Sequence, residues 1–218
     1  MLRGLSLCVA LLLAAAAPLP VVAADPPQTR AQALKGTTHQ DPAVRRSAVE
    51  RLGEVGTMAD ADRLAARLYD DDPLVRRLAE AALWQIWSRS GNRAIDALFL
   101  RGMQQMQAGQ LREALATFSE ITARMPGFAE GWNKRATVYY LLGQFDLSMK
   151  DCDEVLKRNP RHFGALSGYG QMHLAGGDLN RALPYFQRAL KVNPNMEGVA
   201  QTVRLIEVQL EEKKRRMI

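Results

Sequence analysis

The feature that most narrows what this chain can fold into is a spacing. Pro126, Pro160 and Pro194 stand 34 residues apart, and Gly109, Gly143 and Gly177 keep the same interval. The stretch GQLREALATFSEITARMPGFAEGW, from Gly109 to Trp132, returns in skeleton as GQFDLSMKDCDEVLKRNPRHFGAL from Gly143. A fixed period of this length means that one small unit is stacked several times, each burying its apolar face on the next.

Residue sizes within the period describe a helix hairpin. Counting units from Ile95, Ala129 and Phe163, the eighth residues are Gly102, Ala136 and Gly170, and the twentieth are Ala114, Ser148 and Ala182. All are small, which lets two helix backbones approach closely. Positions 24 and 27 hold the residues that fill the space beside them: Phe118 and Ile121, Cys152 and Val155, Phe186 and Ala189. The glycines allow the turn between helices, and the prolines stop the second helix before the next unit. Pro184, early in the last second helix, predicts a kink or a late start there.

A second period lies upstream. DPAVRRSAVERLGEVG begins at Asp41 and DPLVRRLAEAALWQIW at Asp72, with five of the first six residues identical. Asp before Pro reads as an N-cap followed by Pro in the first helical position, with Val44 and Val75 toward the core and 59–69 as the first unit's second helix. After the last proline, Val199, Val203, Ile206 and Leu210 keep the spacing of a helix that closes an open solenoid end.

The 34-residue pattern resembles the tetratricopeptide repeat family, with Trp132, Ala136 and Tyr139 in register in the middle unit, and the upstream pair resembles short HEAT-like repeats. Together they imply an all-α fold, a right-handed α-solenoid of stacked helix hairpins. It comprises a HEAT-like pair over 41–92, three tetratricopeptide units over 93–195 and a capping helix over 196–218, expected as one continuous stack. Residues 25–40, rich in Pro, Gln and Thr, are expected to form a loosely ordered lead-in.

The head of the chain reads differently. Arg3, an apolar run from Leu5 to Ala17 and small residues ending at Ala24 have the layout of a secretory signal peptide over 1–24. The run makes roughly 20 Å of helix against a hydrocarbon core of ~30 Å, so no stable membrane span is expected after cleavage. The implied location is periplasmic or secreted. Cleavage leaves Cys152 as the only cysteine, so no internal disulfide can form.

Charge and chemistry exclude several functions. The formal net charge is +6, with both signs interspersed, and the KKRR near the C-terminus is the one cationic block. Nucleic acid is therefore not an expected partner. His39, His162 and His173 lack the spacing that puts two ligands on one metal, and Cys152 falls on a core position. Asp70, Asp71 and Asp72 lack the Gly and distal Glu of a calcium loop and read as a capping cluster. No catalytic residue, metal or cofactor is assigned, and the chain is not read as an enzyme.

What remains is a surface. The tetratricopeptide resemblance implies that positions 2, 5, 9, 12 and 13 of each first helix line a concave groove. The partner-binding candidates among them are Phe99, Met103, Met106, Asn133, Thr137, Tyr140, Leu141, Ser167, Gln171 and Leu174. Phe99, Met103 and Met106 could take an apolar anchor, or could pack on the HEAT-like helix through Trp84 and Trp87. Phe99 and Met103 also replace the Lys and Asn with which co-chaperone members clamp a terminal carboxylate, so chaperone tails are disfavoured. The expected function is a noncatalytic interaction module, a scaffold or assembly factor holding a segment of another exported or envelope protein. The alternative is an accessory or regulatory subunit docking an exported enzyme. A second candidate surface lies around Arg45, Arg46, Arg76 and Arg77.

Overall fold

The computed structural model describes residues 26–216, and the signal-peptide reading of 1–24 lies outside them. The described residues form helices joined by short turns, with no strand. In order these are α1 (Arg30–Gly36), α2 (Pro42–Val55), a short 3-10 turn (Met58–Asp60), α3 (Ala61–Arg67), α4 (Pro73–Trp87), α5 (Arg93–Gln107), α6 (Leu111–Arg124), α7 (Ala129–Leu141), α8 (Phe145–Arg158), α9 (Phe163–Ala175), α10 (Leu179–Val192) and α11 (Glu197–Arg216).

The three hairpins of the 34-residue period, α5–α6, α7–α8 and α9–α10, share one turn chemistry. Gly109, Gly143 and Gly177 all have left-handed backbone, with φ of 72°, 72° and 75°. The residue after each glycine donates its N–H five residues back: Gln110 to Gln105 at 2.9 Å, Gln144 to Tyr139 at 2.8 Å and Asp178 to His173 at 2.9 Å. This closes each first helix with a Schellman motif and launches the second in the reverse direction. The small positions meet large partners as the repeat requires. Gly102 abuts Phe118, Gly170 abuts Phe186, and the hydroxyl of Ser148 donates to the carbonyl of Ala136 at 2.7 Å. Helix α10 runs unbroken from Leu179 through Pro184, so it has no late start. Pro184 is exposed, and water can satisfy the carbonyl it leaves unpaired. On α11, Val199, Val203 and Ile206 are buried against Ala182 and Phe186.

In the HEAT-like part both Asp-Pro starts are N-caps. Asp41 accepts from the Ala43 N–H, and Asp72 accepts from those of Leu74 and Val75. The acidic run is consumed locally: Asp70 is buried and paired with Arg45 at 2.7 Å, Asp71 also pairs with Arg45, and Asp72 pairs with Arg46. Burial alone would raise Asp70, but its hydrogen bond from Arg45 holds it below the usual carboxylate range. Arg45 and Arg46 are thus committed to clamping the α3–α4 turn and do not form a free basic face.

Two expectations need correction. Residues 30–36 are not a loose lead-in. Thr29 and Gln32 form a capping box that starts α1, Ala33 is fully buried, and Arg30 reaches back to pair with Asp60. Nor do the HEAT-like helices simply continue the stack. Gly91, with φ of 78°, turns the chain after α4, and Trp84 and Trp87 pack on His162 and Phe163 at the start of α9, far along the array. Phe163, Val192 and Met196 join the HEAT-like core. The same junction is stitched by Asn195 donating to the carbonyl of Leu68 at 2.8 Å, by the Tyr69 hydroxyl donating to the carbonyl of Lys191 and by Arg161 pairing with Asp62 at 3.0 Å.

Candidate functional site

The first helices of the second and third units, α7 and α9, face each other across a cleft of about 240 Å³. Asn133, Thr137 and Tyr140 line it from α7, spaced three to four residues apart so that they share one helix face. Ser167 and Gln171 line it from α9, together with Gly164 and Gly168. Ser148 and Cys152 reach it from α8, beside Ala136. No lining residue carries a formal charge. Tyr140 stands at the rim, 36% exposed, with its ring tilted on Phe145 at 5.5 Å between centroids. The Cys152 thiol is pushed up to about 12, chiefly by burial, so it is a poor nucleophile.

Five of the ten groove candidates therefore meet in one place: Asn133, Thr137, Tyr140, Ser167 and Gln171. The other five do not. Phe99 is buried against Phe118 and Phe128, at 5.9 and 5.5 Å between centroids, and Met103 and Met106 pack on the same cluster. Phe99 is thus used in the core, and none of the three joins the cluster of Trp84 and Trp87. Leu174 packs on the α10–α11 core, and Leu141 is 53% exposed outside the cleft.

Beside the cleft lies a buried polar cluster that sequence spacing did not disclose. His162 accepts the Ala165 N–H on Nδ1 at 3.0 Å and thereby N-caps α9, which leaves the proton on Nε2. That nitrogen donates to Oε2 of Glu130 at 2.9 Å. The other oxygen of Glu130 takes Asn133 and Lys134, each at 3.0 Å. Burial pushes Glu130 up, yet the His162 hydrogen bond and the Lys134 charge hold it below the usual carboxylate range. Lys134 in turn sits over the Trp84 ring, 5.4 Å from its centroid. The arrangement is a fully paired structural network under the HEAT-like helices. Among the described residues no group of three or more His, Cys, Asp or Glu could hold a metal ion, and no helix is long and apolar enough to cross a membrane.

Comparison with known proteins agrees with this architecture. Profiles described as tetratricopeptide repeat match residues 96–127, 129–162 and 150–197, and a HEAT repeats profile matches residues 9–84. A TPR repeat-containing protein of Rhizobium etli is 34% identical over 108 residues, covering 50% of this chain and 53% of that protein. Tetratricopeptide repeat protein 34 of Mus musculus is 29% identical over 143 residues, covering 58% of this chain and 26% of the relative. The chain thus spans about half the length of the first relative and about a quarter of the second. Among solved structures, the first TPR of Spaghetti (RPAP3), bound to the HSP90 peptide SRMEEVD, superposes with a TM-score of 0.52 at 23% identity, covering 54% of this chain and 93% of that one. The fold and the matched stretches define an α-solenoid built of tetratricopeptide and HEAT-like repeats.

Proposed function

We propose that the chain is a noncatalytic protein-interaction module, exported to the periplasm or beyond, which holds a segment of another exported or envelope protein as a scaffold or assembly factor. The observation that carries this reading is the convergence of Asn133, Thr137 and Tyr140 with Ser167 and Gln171 on one uncharged cleft between α7 and α9. Side chains from two different units meet there, on the helices that line the partner groove in tetratricopeptide proteins. Hydroxyls, amides and one rim aromatic above a small apolar floor suit a peptide backbone with an uncharged side chain. A terminal carboxylate, as in chaperone tails, finds no cation among the lining residues, and Lys134 is committed to Glu130. The signal-like head supports export.

Affinity capture with the chain from residue 25 onward, on an envelope extract of the native host, tests the reading. Recovery of an envelope protein whose binding is lost when the cleft is altered supports it, and retention of cytosolic proteins alone contradicts it. A single recovered partner bearing a metal, haem or triad site would instead make the chain the accessory subunit of an exported enzyme.

A further inference from the structure

The middle hairpin breaks the size rule of its neighbours. In the first and third units the eighth residue is Gly and the twenty-fourth is Phe, and the fit is tight. A Cβ on Gly102 would stand 2.6 Å from Cζ of Phe118, and one on Gly170 would stand 2.6 Å from Cδ1 of Phe186. Each ring lies directly against the helix it faces. The middle unit has Ala136 and Cys152 at these positions, exchanging a phenyl ring for a thiol and gaining only one methyl. Both residues line the cleft of about 240 Å³.

From this we infer that the cleft is a receptor for one uncharged apolar side chain, aromatic by preference, carried on an extended segment of the partner and taking the place of the ring that the middle hairpin lacks. The inference rests on the α7–α9 face being a binding surface and adds what that surface selects. Size permits it: an apolar cavity of about 150 Å³ takes up benzene, so the volume here suffices for a phenyl ring with its methylene. Charge favours it, because an ammonium or carboxylate placed among these uncharged residues would lose hydration without gaining a counter-charge. At its Gly164 end the cleft adjoins Trp84, whose Cη2 would stand 2.7 Å from a Cβ on Gly164. Tyr140 is the exposed residue of the rim, and Thr137, Ser167 and Gln171 offer polar groups to the backbone that carries the side chain.

The test is an NMR titration of the described chain with N-acetyl-phenylalaninamide, following the amides of Thr137, Gly164 and Gly168. N-acetyl-glycinamide and the amide of N-acetyl-glutamate serve as controls. Saturable shifts are expected with the phenylalanine probe, with each control weaker by roughly tenfold or more. Two variants fill the cleft in different ways. The double variant Ala136→Gly/Cys152→Phe restores the pairing of the flanking hairpins, and Ser167→Phe fills from α9 without altering the hairpin core. Each folded variant, checked by circular dichroism, is expected to lose the shifts. The inference is overturned by no saturable shift in the parent, by controls that bind as well as the phenylalanine probe, or by an unchanged titration in a folded filled variant. If a captured partner still binds in a Tyr140-dependent way while the phenylalanine probe does not, the side-chain assignment fails and the interaction-module reading stands. If the probe binds but no partner depends on Tyr140, the module reading fails instead.

Discussion

Trp87 stacks on His162, with ring centroids 4.5 Å apart and 25° between the planes. This contact joins the last HEAT-like helix to the third tetratricopeptide unit, and Trp84 reinforces it edge-on at 5.4 Å. The two repeat types thereby share one core and are expected to unfold together.

Trp87→Ala should remove that junction. Trp87 is 5% exposed, and deleting a buried indole typically costs about 3–5 kcal/mol. A single thermal transition shifted well downward is the expected melt. A loss under about 1 kcal/mol would mean that the HEAT-like helices do not lean on α9.

Glu130 gives the stability a pH dependence of known sign. Its folded pKa lies below the ordinary value of 4.5, so its contribution is fully present above that value and is lost as pH falls through the folded pKa. Glu130→Gln should flatten this acid limb in chemical denaturation measured across pH. At neutral pH the variant should be the less stable protein, because Lys134 and His162 lose a buried carboxylate partner. An acid limb as steep as the parent's would refute the assignment.

Gly102→Ala should overpack the first hairpin, where the added methyl meets the Phe118 ring at 2.6 Å, costing on the order of 1–3 kcal/mol in a denaturant melt. Phe118→Leu in the same chain should recover part of the loss. Additive costs would show that the two positions do not touch.

Much of the fold was legible because its punctuation is local. A glycine that must be left-handed and a small residue facing a phenyl ring each leave a mark at a fixed offset, as Gly109 with Met106 and Gly102 with Phe118 illustrate. Helix α1 also had a local mark, the Thr29 to Gln32 capping box, but its composition suggested disorder. The return of α4 onto α9 had none. Trp87 and His162 meet only through the tertiary fold, and no spacing rule connects them. Phe99 escaped the reading for the same reason: it occupies a groove position in the register, yet its ring is held between Phe118 and Phe128.

Cys152, 3% exposed and with its thiol pushed up to about 12, should react with a thiol probe only on the timescale of opening or unfolding. Labelling in native buffer should be slow and should accelerate sharply in denaturant. Equal rates in the two conditions would remove the residue from the core beneath the cleft.

The most direct test of the α7–α9 cleft as the binding site is calorimetric titration of the captured partner against the parent, Tyr140→Ala and Lys157→Ala. Tyr140 stands at the cleft rim, and Lys157 is an exposed residue of α8 outside it, paired with Glu154. With both variants folded, Tyr140→Ala is expected to lose about 2 kcal/mol, roughly thirtyfold in affinity, while Lys157→Ala binds like the parent. Parent-like affinity in Tyr140→Ala, or a larger loss in Lys157→Ala, would contradict it.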